Sequence, residues 1–197
     1  MLMEKITKNY KLEGQGLEII TYPDPVLSKV AEPVTEFNDE LKLLCKNMLY
    51  TMYHAPGIGL AAPQIGISKR IFVLDVDYSR DETSEGSGEY TLSDFNPKIF
   101  INPKIKNKIG ETTFQEGCLS VPGIYEDVVR CQNLEIEFQD TEGETHTLMA
   151  DGLFAICIQH ENDHLDGVVF IERLSNLKKK YFKEKLIKEK KKYNKKI

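Results

Sequence analysis

His160-Glu161-Asn162-Asp163-His164 sets two imidazoles four residues apart, with a carboxylate beside the first. On an α-helix that spacing places the two rings one turn apart on the same face, where they can share a metal ion. Glu161 then projects toward the open side of the ion, where a general base can take a proton from water. Burying two histidines and a glutamate on one helix is costly unless a metal or strong partners satisfy them, which weighs against an ordinary core role.

A catalytic ion commonly keeps three protein ligands and one open position, so a third ligand is needed. Downstream, Glu172 is the available carboxylate and no histidine follows. A zinc endopeptidase of the H-E-x-x-H type would have to draw on that side of the motif. Upstream, Cys118 lies in Glu116-Gly117-Cys118-Leu119-Ser120, between expected strands, where a thiolate can be presented at a strand end. A Cys-His-His set with one open site is chemically sensible, and a buried structural cysteine is the competing reading of Cys118. A non-enzymatic module with a closed four-ligand site is a further reading, but it leaves Glu161 beside a ligand to no purpose. His54, at an expected helix end, and His146, in an expected hairpin, fit surface roles.

The elements that must position these residues follow from periodicity. Leu41, Leu44, Cys45, Met48, Leu49 and Met52 recur at helical intervals over residues 38–54, with Asn38 as N-cap and Pro56-Gly57 as stop. Residues 57–64 are small and read as neither helix nor ordinary strand, and 70–76 read as a buried strand. Residues 77–96 are polar around Gly86-Ser87-Gly88 and read as an exposed loop or loose hairpin, a tolerated insertion. Short strands are expected at 99–102 and around 111–114, and an antiparallel hairpin over 133–139 and 145–149, turning at Glu142-Gly143. Asp151 is the expected N-cap of an amphipathic helix carrying His160, Glu161 and His164, with Gly167 just past its end. A last helix should start near Ser175, dock through Leu177, Tyr181 and Phe182, and continue as a tail. The predicted class is α+β: mostly antiparallel short sheets packed around a central metal-binding helix, with an N-terminal and a C-terminal helix.

Composition bounds the rest. A chain of 197 residues with 41% hydrophobic and 29% charged residues is an ordinary globular sequence with one core. No apolar run is long enough to span a bilayer, and Glu4 and Glu13 argue against a leader, so the expected location is the cytoplasm. The four cysteines show no clustered framework and read as reduced thiols, with Cys45, Cys131 and Cys157 as structural. Residues 178–197 carry eleven lysines and two glutamates, near +9, whereas residues 1–177 are near −14. Residues 1–177 are therefore expected to form one catalytic domain and 178–197 a lysine-rich helical tail. The tail is either a solvated charged helix or a dock on ribosomal RNA. Nothing in the sequence demands more than a monomer.

Three segments resemble the peptide deformylase family in order and spacing: residues 57–64 (Gly-Ile-Gly-Leu-Ala-Ala-Pro-Gln), 116–120 (Glu-Gly-Cys-Leu-Ser) and 159–164 (Gln-His-Glu-Asn-Asp-His). A looser similarity runs over residues 17–177, including Tyr22-Pro23-Asp24-Pro25 and Ala150-Asp151-Gly152-Leu153. The resemblance implies a metal-dependent hydrolase that takes the formyl group from the N-terminal formyl-methionine of nascent proteins. It implies that Cys118, His160 and His164 ligate one divalent ion, that Glu161 is the general acid/base, and that Gln64 and the Leu119 N–H hold the formyl oxygen. Gly59, its neighbour Ile58, and Gly117 would bind substrate, Gly59 by pairing with its backbone, and Ile156 and Cys157 would line a methionine pocket. Thiolate and imidazole suit zinc, iron, cobalt and nickel alike, and the resemblance implies Fe2+ as the working ion with Zn2+, Ni2+ or Co2+ as substitutes. The N-terminal extension, the polar insertion after Asp77 and the lysine-rich end depart from the family pattern without touching these motifs.

Overall fold

The computed structural model describes residues 11–84 and 86–193; Glu4, Lys195 and Lys196 lie outside the described residues, as do the side chains of 191–193. Helix α1 spans Asp39–His54, and the Asn38 side chain caps it by accepting from the Leu41 N–H at 3.0 Å. Its apolar stripe is buried, with Cys45, Met48 and Met52 fully enclosed. Each such side chain contributes about 1.5–3 kcal/mol by leaving water.

Strands β1 (Gly59–Ala61), β2 (Ile71–Leu74), β5 (Lys98–Ile109), β8 (Asn133–Gln139) and β9 (Thr145–Asp151) form one antiparallel sheet in the order β1-β2-β5-β8-β9. Separate hairpins are made by β3 (Ser79–Glu82) with β4 (Tyr90–Ser93) and by β6 (Thr112–Cys118) with β7 (Val121–Arg130). Helix α2, Gly152–Leu165, packs against β1, β2, β8 and β9. Helix α3, Asn176–Tyr193, closes the described chain. The α+β class and the helix-centred layout are therefore observed.

Several local expectations are corrected. Residues 59–61 do form a strand, because Gly59 pairs with Leu74 at the edge of the main sheet, and residues 62–65 turn as a 3-10 helix. Strand β5 does not stop at Asn102. Asn102 takes φ +50°, and its side chain holds both Val34 N–H and Val34 C=O at 2.8 Å, so the strand bends there and continues past Pro103 with shifted register. Strand β7 went unread because Pro122-Gly123 and Glu126-Asp127 look like turns. Only burial exposes its pattern, with Ile124, Val128 and Arg130 inward and Tyr125 and Val129 outward.

Helix α2 is buried on nearly every side rather than amphipathic, with residues 155–161 all enclosed, since the sheet covers part of it and other elements the rest. Asp151 holds the extended N-cap position but its side chain makes no capping hydrogen bond. On α3, Leu177 and Tyr181 are largely exposed, while Phe182 and Leu186 pack against Leu27, Val121 and Phe170. The i, i+4 pair at 182 and 186 meets the body, and the 177/181 pair lies on another face.

Candidate metal centre

The centre forms where the β6–β7 hairpin meets α2. Cys118 ends β6, and His160 and His164 stand one turn apart on α2 with ring centroids 5.2 Å apart. One ligand atom from each of the three lies within 4.8 Å of the others, and Cys118 Sγ is 3.2 Å from His164 Nε2. This Cys-His-His cluster forms a divalent-metal site. Glu172, the carboxylate considered for a peptidase, is elsewhere: it sits on a 3-10 turn, Phe170–Arg173, and pairs with Lys183 at 2.5 Å. A second group, Asp140, Glu144 and His146, lies partly to fully exposed at the β8–β9 turn, with His146 Nε2 2.6 Å from Asp140. His54 is exposed at the end of α1, as expected.

Oriented partners surround the ligands. His160 Nδ1 meets Glu116 Oε2 at 2.8 Å, which leaves Nε2 to face Cys118. Glu116 is gripped through both oxygens by Arg130, at 2.6 and 2.9 Å, and Arg130 also binds Asp163 at 2.6 Å. Arg173 completes the set by donating to Asp163. Burial alone would raise the Glu116 pKa, yet the hydrogen bonds from Arg130 and His160 outweigh it and hold the group at about 2. Gln159 ties α2 to the β7–β8 connection, accepting from Cys131 N–H and donating to Cys131 C=O, both at 3.0 Å. This charged network was missed in the sequence, where Glu116 appeared only as part of a motif.

Glu161 is enclosed, and burial pushes its carboxyl up to about 7. Its Oε2 has no hydrogen-bond partner, which is the condition of an acceptor awaiting a ligand rather than a structural carboxylate. Gln64 is pinned by its own oxygen, which accepts from Ala61 N–H at 2.8 Å, so its amide nitrogen is turned toward Cys118 Sγ at 3.5 Å and Ser120 Oγ at 3.3 Å. Three soft and borderline donors, an unpartnered buried carboxylate oxygen and a fixed N–H donor together fit a bound divalent cation with a reacting molecule beside it.

A cleft of about 410 Å³ opens over this centre. Ile58, Gly59, Gln64, Gly117, Cys118, Leu119, Ile156, Cys157, His160 and Glu161 all line it; His164 lies behind Cys118 and outside the lining. The structure adds Phe114, Leu153, Ile124 and Tyr125 as apolar wall residues, the last two on β7, which the sequence pattern does not reveal.

The sequence model of the family described as Polypeptide deformylase matches residues 16–180. The chain belongs to this family. It is 47% identical over 175 residues to a peptide deformylase of Neisseria meningitidis, covering 89% of this chain and 96% of that one. The crystal structure of a peptide deformylase from Legionella pneumophila superposes with a TM-score of 0.76 at 38% identity, covering 91% of this chain and 98% of that one. A peptide deformylase from Synechococcus elongatus, solved in complex with actinonin, gives 0.73 at 42% identity, with 89% and 90% covered. Among the described residues, no helix is long and apolar enough to cross a membrane. As a deformylase-family metallohydrolase with a Cys-His-His cluster, the chain is not an H-E-x-x-H zinc peptidase, despite sharing that five-residue pattern.

Proposed function

We propose that this chain removes the formyl group from the N-terminal formyl-methionine of nascent proteins, releasing formate. The observation that carries the proposal is the convergence of Cys118, His160 and His164, with Cys118, His160 and the unpartnered Glu161 lining one cleft. Cys118, His160 and His164 would hold one divalent ion, with Fe2+ as the native ion and Zn2+, Ni2+ or Co2+ as substitutes. The mixed thiolate and imidazole donor set supports this range. The ion supplies positive charge that lowers the pKa of water and polarises the formyl oxygen.

The chain's own residues do the rest. Glu161 takes the proton from the water that adds to the formyl carbon and returns it to the methionine nitrogen as the C–N bond breaks. The products are formate and a free methionyl amine. Gln64 Nε2 and the Leu119 N–H stabilise the negative charge that develops on the formyl oxygen, a role supported by the fixed orientation of the Gln64 amide. Gly59 offers backbone groups to the peptide at the sheet edge, while Ile58 and Gly117 contact the substrate and Ile156 and Cys157 shape the methionine pocket.

The proposal extends to a catalytic domain over residues 1–177 and a lysine-rich tail over 178–197 that docks on ribosomal RNA. The eleven tail lysines support that division by charge, although α3 spans it and docks through Phe182 and Leu186. Unpaired Cys45, Cys131 and Cys157 suit a reducing, cytoplasmic location.

The test is formate release from a formyl-methionyl tripeptide. Activity should vanish on chelation and return with ferrous ion, while Glu161→Ala keeps its metal and loses turnover. Turnover that survives full chelation would sink the reading.

A further inference from the structure

The inserted segment after Asp77 is joined to the cleft through a buried carboxylate that the proposed chemistry does not use. Asp75 is fully buried directly after β2 and has four hydrogen-bond donors around it. Its Oδ1 accepts from the N–H of Asp77 at 3.0 Å and of Tyr78 at 3.2 Å, at the start of the insertion. Its Oδ2 accepts from Asn96 N–H at 2.7 Å, at the insertion's end, and from Tyr53 O–H at 2.6 Å on α1. One side chain therefore closes the base of the β3–β4 hairpin and fastens it to α1.

The same residue reaches the cleft edge. Asp75 N–H donates to Ile58 C=O at 3.0 Å, and Tyr78 O–H donates to Gly57 C=O at 3.2 Å. The Gly57 N–H is bound by Met52 C=O at 2.9 Å. With Ile58 bonded toward β2, the alternation of an antiparallel pair turns the polar groups of Gly59 outward, toward the free edge of the sheet. Tyr53 packs edge-on against both Tyr78 and Phe95, with centroids 4.9 Å apart in each case, so the clamp is a packed unit.

We propose that Asp75 and Tyr78 are positioning residues: through Gly57 C=O and Ile58 C=O they hold the Gly57–Gly59 edge in the geometry that pairs with the substrate backbone. The insertion stem is thereby part of peptide recognition. This rests on the deformylase reading above.

The test uses the metal-loaded full chain and Tyr78→Phe, which removes only the hydroxyl. KM for a formyl-methionyl tripeptide should rise by about fivefold, the scale of one neutral hydrogen bond. At the same time kcat and metal content should hold, the melting temperature should fall by only about 2–4 °C, the scale of one hydrogen bond, and KM for formyl-methionine alone should not move. Tyr53→Phe, which removes a donor to Asp75 from the helix side, should shift the tripeptide KM in the same direction. Calorimetric binding of the deformylated tripeptide should weaken in parallel, a readout independent of turnover. An unchanged tripeptide KM, or an equal loss of kcat on both substrates, overturns the inference. Failure of the unmodified chain to release formate would instead overturn the reading beneath it.

Discussion

Gly59 and Glu161 occupy adjoining space: a Cβ built on Gly59 would lie 2.8 Å from Glu161 Cδ and closer still to its Oε1. The carboxylate of α2 thus reaches its place across β1 only because residue 59 has no side chain. Gly59→Ala should displace Glu161 while leaving the three ligands in place. The expected result is about a hundredfold lower kcat, the scale of an ångström-sized misplacement, at normal metal content. Full kcat in this variant would show that Glu161 tolerates the shift.

Glu116 orients His160, and Arg130 in turn fixes Glu116. In Glu116→Gln the shape is kept but the charge on the ligand's partner is lost, so metal affinity should fall about 10- to 100-fold in competition with a chelator. Arg130→Met should cost about 3–5 kcal/mol of unfolding free energy, because it strands the Glu116 carboxylate in a buried site and leaves Asp163 to Arg173 alone. A denaturant titration that shows no change would mean the network is structurally idle.

Gln64 donates from one end and is held at the other. Gln64→Leu should lower kcat by about 10²–10³-fold with metal retained. Gln64→Glu restores the acceptor for Ala61 N–H but not the donor, so it too should be slow. Recovery in the glutamate variant would assign the residue to folding of the 62–65 turn.

On the tail, Lys178, Lys179 and Lys183 are tied to Glu126 and Glu172. Lys180, Lys185 and Lys188 are the better probes of an RNA contact. Changing all three to Glu should weaken ribosome binding and flatten its dependence on salt, while turnover of free tripeptide is kept. Identical affinity and slope would remove the docking proposal.

What the sequence determined by itself was local. The four-residue interval between His160 and His164, the stripe from Leu41 to Met52 and the Asn38 cap are all set by helical geometry within a few residues, and each is realised. The β8–β9 hairpin was equally legible, since alternation and a Gly turn are short-range signals. Cys118 was nominated from its motif, but its meeting with His164 spans 46 residues and depends on where β6 delivers its last residue.

The tertiary structure alone decided the rest. Arg130 finds Glu116 across the β6–β7 hairpin and Asp163 on α2, and no periodicity in either segment encodes such a pairing. Whether α3 docks by residues 177, 181 and 182 or by 182 and 186 turns on a rotation about the helix axis that only the facing surface can fix. The join between Asp75 and both ends of the insertion is of the same kind. A polar run in sequence carries no sign of which buried carboxylate will gather its ends, because that choice is made by sheet register and by the need to satisfy every buried charge.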